Sequence, residues 1–396
     1  MGRLSRCDHI PGPLGTGWSR LWLLRQAVGG RSRLAFFETN KKYGPITRVG
    51  PYHVITTDAH LIRRINAARS PYTRGEYVEA AVDRTVLSLV RLVEGYIANN
   101  KPFDFGRKAQ YYTLDVIADL AYGEPFGFKT FAMSLSVTVY PWVYDILSSR
   151  VFKFLLPTEK DMTGFGRFMR YEKAAERFGP DKKVQSDMLG SFIAHGLTQH
   201  EAEAEILLQL VAGSDTTSTA IRAILLLTIA NPRVHAKLLS EIISVTSFLG
   251  EDEVISNERA QKMPYLQAVI KEGLRWHPPV AGMLSKKVPA AGDKWKGIAL
   301  PPGTELFWGE DASEFRPEQW LEADVARLKA IDATLGLTFG YGRWQCLGKD
   351  VAWMELNKVL VEVTFRRFEL SVLDPTNPWS SACANIFVVK DFWIKA

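Results

Sequence analysis

The chain is poor in cysteine, with three among 396 residues: Cys7, Cys346 and Cys383. They are odd in number and far apart, which suits a reducing compartment better than a disulfide framework. Blocks of like charge are also missing. Lys and Arg number 49 against 43 Asp and Glu, and the resulting +6 is spread along the whole length, so no nucleic-acid footprint is indicated. Long apolar runs are absent as well. The longest uncharged stretches, 130–144 and 375–389, carry Pro141, Pro375 and Pro378, so no transmembrane helix is predicted and membrane contact is expected to be peripheral. The opening "MGRLSRCDHIPGPLG" has no apolar signal core. Nor does the chain show repeats, low-complexity tracts, a linker, or a flavin or nicotinamide motif of its own.

What is present has the composition of a globular protein: 46% hydrophobic and 23% charged residues. Without a boundary signal, residues 1–396 read as one unit, large enough for a single helical domain. "ITRVG" and "YHVITT" read as strands, and "GIAL" and "FVVK" are expected to join them in a small sheet. Most of the remainder is helical in pattern. Apolar residues at 82, 86, 89, 90, 93 and 97 follow one helix face, and 111–122 repeats that spacing. Thr198 and Glu201 have the spacing of a capping box, and Asn231-Pro232 supplies a stop, which predicts a helix of about 33 residues and about 50 Å. A second helix is predicted from Pro264 to Trp276.

The stretch "AGSDTTST" places a carboxylate and hydroxyls in the middle of the longest apolar helix. On its own this is equally a set of hydroxyls bonding back to carbonyls one turn earlier, with Asp215 paired to a cation. In "FGYGRWQCLGKDVAWMELNKVL" the sequence places Cys346 at a helix start, where N–H groups and the helix dipole favour a thiolate and a lowered pKa. Gly340 and Gly342 let the backbone turn tightly, and Gly348 lets the helix approach a flat ligand. A lone cysteine in a glycine-rich turn is also compatible with an inert buried thiol. Glu272 and Arg275, three apart on one helix face, complete the set.

Together these stretches resemble the cytochrome P450 family of haem-thiolate monooxygenases. The family's haem loop reads Phe-x-x-Gly-x-Arg-x-Cys-x-Gly; Phe339, Gly342, Cys346 and Gly348 stand at its spacing, and Arg343 is read as its arginine. Ala212, Gly213, Asp215, Thr216 and Thr217 match the distal-helix motif, and Glu272 and Arg275 match Glu-x-x-Arg. The wording "PGPLG", "KKYGP" and "AERFGPDKKVQSDMLGSF" is similar to fungal enzymes of the pisatin demethylase type.

The resemblance implies a mainly α fold with a small β-sheet region and a haem b whose iron takes the Cys346 thiolate as axial ligand. Phe339, Gly340, Arg343, Gly348, Ala212, Gly213 and Lys286 are then implied to surround the haem, with Arg343 and Lys286 facing its propionates. Ala212 and Gly213 leave a groove for dioxygen, Thr216 hydrogen-bonds the oxygen species on iron, and Asp215 relays protons from solvent. Glu272 and Arg275 are structural, although Gln319 stands where the family's Phe-x-Pro-x-Arg-Phe segment has its arginine. The implied partners are an NADPH-dependent reductase, O₂ and a small hydrophobic substrate, at the cytoplasmic side of the endoplasmic reticulum, or in the cytoplasm for a chain without an anchor.

Two departures stand out. No Trp occurs between 52 and 102, where the family has two helices and a Trp-x-x-x-Arg grip on a propionate, so helices near 79–80 are read as missing along with an N-terminal anchor. Between Glu305 and Phe315 the chain also reads as short. A truncated P450-like protein with impaired haem binding and no catalysis, and a helical binding protein without haem, stay open as alternatives.

Overall fold

The computed structural model describes residues 7, 9–19, 22, 25–26, 32–51, 53–58, 77–122, 178, 187–280, 286–287, 293–301, 305–308, 314–342, 345–383 and 387–395. The apolar stripe from Val82 to Val93 folds as the buried face of a helix, α2 (Tyr77–Ala98), which follows α1 (Ser32–Tyr43). Glu79 and Ala80, where the sequence suggests lost helices, lie inside α2; residues 59–76 ahead of it are outside the described residues. Next come α3 (Phe105–Tyr122) and α4 (Met188–Ala194).

The predicted long helix is α5 (Gln199–Ile229), 31 residues and so about 46 Å along its axis. Its start is fixed by the predicted capping box: Glu201 N–H donates to Thr198 Oγ1, and Thr198 N–H donates to the Glu201 carboxylate. Its end is closed by the Asn231 side chain donating to the Leu227 carbonyl, and Pro232 then opens α6 (Pro232–Thr246). Among the described residues Leu208–Ile229 is the one segment apolar and long enough to cross a membrane by length and composition; most of it is buried in the protein, as befits a core axis.

Around α5 pack α3, α6, α8 (Pro264–Trp276) and α11 (Lys349–Val361). Between them run α7 (Asn257–Gln261), α9 (Gln319–Glu322) and α10 (Val325–Leu335). One large apolar core joins α2, α3, α5, α6, α8 and α11, including Val86, Tyr112, Ile221, Leu238, Val269 and Leu360. Burying such side chains contributes about 1.5–3 kcal/mol each, which is what makes a helix of mixed polarity such as α5 stable in place.

The predicted strands form, but not as one sheet. β1 (Ile46–Gly50) pairs antiparallel with β2 (His53–Thr56); β2 then pairs in parallel with β7 (Glu305–Trp308), which pairs with β4 (Lys286–Lys287). "GIAL" contributes β6 (Ile298–Leu300) to a separate hairpin with β5 (Asp293–Trp295). "FVVK" becomes β10 (Phe387–Lys390), paired among the described residues with β9 (Ser380–Cys383), in a sheet separate from β1 and β2. β11 (Trp393–Lys395) lies between β3 (Phe103–Asp104) and β8 (Ser371–Val372). Strand propensity was legible locally; which strands meet depends on distant chain ends. β7 also shows that the segment read as shortened keeps a strand at its start.

Candidate haem-thiolate site

A 3₁₀ turn, Gly336–Phe339, leads into the cysteine loop. Gly340 (φ 72°) and Gly342 (φ 64°) occupy the left-handed region, where a side chain would be strained, so both glycines are conformationally required. This double turn folds the loop back so that Cys346 N–H donates to the Phe339 carbonyl at 2.7 Å. Gly348 caps α11 with an ordinary φ of −82°, and a Cβ there would only touch the Cys346 sulfur at 3.9 Å, so its glycine is not demanded by backbone strain.

Cys346 is exposed. The N–H groups of Gly348 and Lys349 and the Lys349 charge favour its thiolate, as the sequence predicts. Crowding of the sulfur by the loop nevertheless outweighs them and pushes the thiol pKa up, so the expected lowering is not what the protein alone produces. Leu347 beside it is 91% exposed. Phe339 packs against the core near Trp353, with ring centroids 6.5 Å apart, and Lys349 Nζ lies 5.8 Å above the Phe339 ring. An open cleft of about 420 Å³ flanks this side of the loop, lined by Phe339, Lys349, Trp353, Lys271 and Asp332. Arg343 lies outside the described residues, and Lys286 is placed only by its pairing in β4. The motif's arginine position falls on Trp344, so Arg343 stands one residue before it and is not the family's arginine.

On α5 the hydroxyls do bond back along the helix. Thr216 Oγ1 donates to the Ala212 carbonyl at 2.6 Å, and Ser218 Oγ donates to the Asp215 carbonyl at 3.1 Å. Among the described residues Asp215 is paired with no cation; it accepts a hydrogen bond from Gln110 Nε2 on α3. Burial pushes its pKa up, opposed by that bond and by Arg222. Thr217 is buried, Thr216 half-buried and Ala212 exposed. Gly213 does not share the Ala212 side: a Cβ there would come within 3.3 Å of Ile117, so its missing side chain serves the close approach of α3. Of the two small residues expected to leave a groove, Ala212 alone faces open space.

Glu272 is fully buried and is the hub of the third motif. Its carboxylate receives Arg275 Nε and Nη2 as a bidentate pair, both at 2.8 Å, then Arg316 N–H at 2.7 Å, Gln319 Nε2 at 2.7 Å and Trp320 Nε1 at 3.0 Å. Arg275 Nη2 reaches on to the Glu314 carbonyl at 2.6 Å. Gln319 thus replaces the family's cation by a neutral amide donor at the same carboxylate.

The cytochrome P450 family profile matches residues 63–392. The chain belongs to the cytochrome P450 family. Among similar proteins, cytochrome P450 monooxygenase ABA1 of Pyricularia oryzae is 36% identical over 98% of this chain and 92% of its own length. Cytochrome P450 monooxygenase aba1 of Botryotinia fuckeliana is 33% identical over 98% and 91%. Pisatin demethylase of Fusarium vanettenii, the type to which the sequence wording is similar, is 28% identical over 96% and 86%. The P450 assignment makes this chain a monooxygenase, an oxidoreductase of a family that binds haem iron through a cysteine thiolate, uses O₂ and hydrophobic substrates, generally takes electrons from a reductase and is often associated with the endoplasmic reticulum.

Sequence reasoning missed Gln110, Thr113, Arg222 and Trp320. Thr113 Oγ1 donates to the Ser214 carbonyl at 2.6 Å and Arg222 Nη1 donates to the Val389 carbonyl at 3.1 Å. The only signal available was spacing, since Gln110 and Thr113 lie three apart on α3; which helix they would meet was not in the sequence.

Proposed function

We propose that Cys346 is the axial ligand of the haem and that this P450 inserts one oxygen atom of O₂ into a small hydrophobic molecule in fungal secondary metabolism or detoxification. The observation that carries the reading is Cys346 itself: an exposed residue at the head of α11, its sulfur crowded by the loop yet met by two main-chain N–H groups and the Lys349 charge, which favour the thiolate. That donor set fits a porphyrin, which supplies four nitrogens and needs a single soft ligand from the protein. Bound there, the haem supplies dioxygen activation; everything else falls to the chain. Ala212 leaves room on α5, Thr216 presents its hydroxyl beside the Ala212 carbonyl, and Asp215 stands in a partly desolvated place that raises its proton affinity. Phe339 backs the loop. Lys286 is retained as a propionate partner on sequence grounds, whereas Arg343 stands one residue before the motif's arginine position. Electrons come from an NADPH-dependent reductase at the cytoplasmic face of the endoplasmic reticulum, a docking that the basic excess of the chain suits.

A reduced, CO-bound absorbance spectrum tests the reading. The thiolate-type Soret band is expected for the native chain and should be lost in Cys346→Ala, whereas retention of that band in the variant would overturn the ligand assignment. One observation favours the second reading, a shortened P450 that holds haem poorly. The ABA1 alignment runs over 476 positions while the chain has 396 residues, so at least 80 positions of the relative face no residue here. A band shifted toward that of a neutral thiol or histidine ligand would support this reading over the first.

A further inference from the structure

Asp215 is held by a neutral partner, and the helix that supplies it grips α5 at two consecutive residues. From α3, Gln110 Nε2 donates to the Asp215 carboxylate, and three residues on Thr113 Oγ1 donates to the Ser214 carbonyl at 2.6 Å. Among the described residues α3 and α5 also make the most extensive contact of any two helices, and Gly213 allows their close approach at this point. The cation that bears on Asp215 is Arg222, two turns further along α5 and buried; its Nη1 is committed to the Val389 carbonyl at 3.1 Å, its charge is shared with Asp104 on β3, and burial brings its pKa down to about 10. Among the described residues, the cations that α3 itself carries near Gln110 are engaged elsewhere: Lys108 lies over the rings of Tyr96 and Tyr111, and Arg107 lies 4.0 Å from Asp104.

A cation in contact would keep the carboxyl permanently ionised, whereas an amide fixes its place without adding charge and leaves it able to take up and release a proton. Resting on the proposed role of α5 beside the haem, we propose that Gln110 is a positioning residue for proton delivery, its side-chain amide holding the Asp215 carboxyl against α3 as an exchangeable proton carrier. The direction of the Asp215 shift agrees, since burial raises its proton affinity and the Gln110 bond restrains the rise.

Infrared difference spectra of the full chain, titrated from about pH 4 to 9 to bracket both ordinary and raised carboxyl values, read the carbonyl stretch of a protonated buried carboxyl. Subtracting the Asp215→Asn spectrum isolates the Asp215 band. Gln110→Lys should move its midpoint down by about one pH unit or more, as an adjacent cation does to a carboxylate. Gln110→Met should move it up, because a bond favouring the charged form is lost. In the haem-loaded enzyme the pH profile of product formed per NADPH consumed should move in the same two directions. Midpoints unmoved in both variants overturn the proposal, and Gln110→Glu, which should also raise the midpoint, serves if the lysine variant does not fold. The infrared midpoint needs no haem. Loss of the haem-thiolate reading would therefore show in the CO spectrum alone, and loss of the positioning role in the infrared titration alone.

Discussion

Thr216 carries two duties that a single substitution separates. Its hydroxyl now donates to the Ala212 carbonyl, a bond worth about 1 kcal/mol net, so helix α5 survives its loss. As a half-buried hydroxyl next to Asp215 it is also placed to pass a proton. Thr216→Ala is therefore expected to leave haem content and substrate binding unchanged while more of the NADPH consumed ends as hydrogen peroxide instead of product. The ratio of peroxide to product measures it, and an unchanged ratio would remove Thr216 from proton handling.

Helix α8 is tied to α9 and the segment before it through the Glu272 carboxylate, which takes five donors, two of them from Arg275 of α8 itself, so Glu272 and its ligands differ greatly in what they contribute. Glu272→Gln removes the charge that balances Arg275 and turns one acceptor into a donor facing other donors. Breaking a buried ion pair from one side in this way costs about 3–5 kcal/mol. Gln319→Leu removes only a neutral hydrogen bond to the same carboxylate, a loss of about 1 kcal/mol. Urea denaturation of the two variants should show that ordering, and equal losses would mean that the ion pair is not what holds α8.

The core as a whole has one titration that stability will report. Glu355 on α11 is fully buried, and desolvation pushes its pKa far above the usual carboxylate range. Its Oε2 and the Tyr112 hydroxyl on α3 are both buried without a hydrogen-bond partner among the described residues. The charged groups nearby, Lys358 on α11 and Asp83 on α2, bind each other at 2.6 Å. An acid with a raised pKa keeps its proton in the folded protein after the unfolded chain has released it. Its favourable contribution is thus complete below the ordinary glutamate pKa and declines as pH rises toward the raised value. Glu355→Gln, neutral at every pH, should gain stability relative to the native chain between pH 5 and 8, by up to about 1.4 kcal/mol per pH unit. Urea midpoints at the two ends of that range check it, and parallel curves would show that Glu355 is ionised in the fold.

Local chemistry carried much of this protein in the sequence. The capping box at Thr198, the proline that opens α8 at Pro264 and the two positive-φ glycines before Cys346 each depend on residues within a few positions of one another, so their outcome was readable. The family followed from motifs of the same short range. What only the tertiary structure decided is which distant residues meet: Gln110 with Asp215 across 105 positions, Trp320 with Glu272 across 48, and "FVVK" with β9 instead of the early strands. The Cys346 thiol shows why such matters are not local. The N–H groups that lower its pKa are its sequence neighbours, but the crowding that raises it is set by how the loop packs, and a desolvation that depends on the surrounding volume has no short sequence signature.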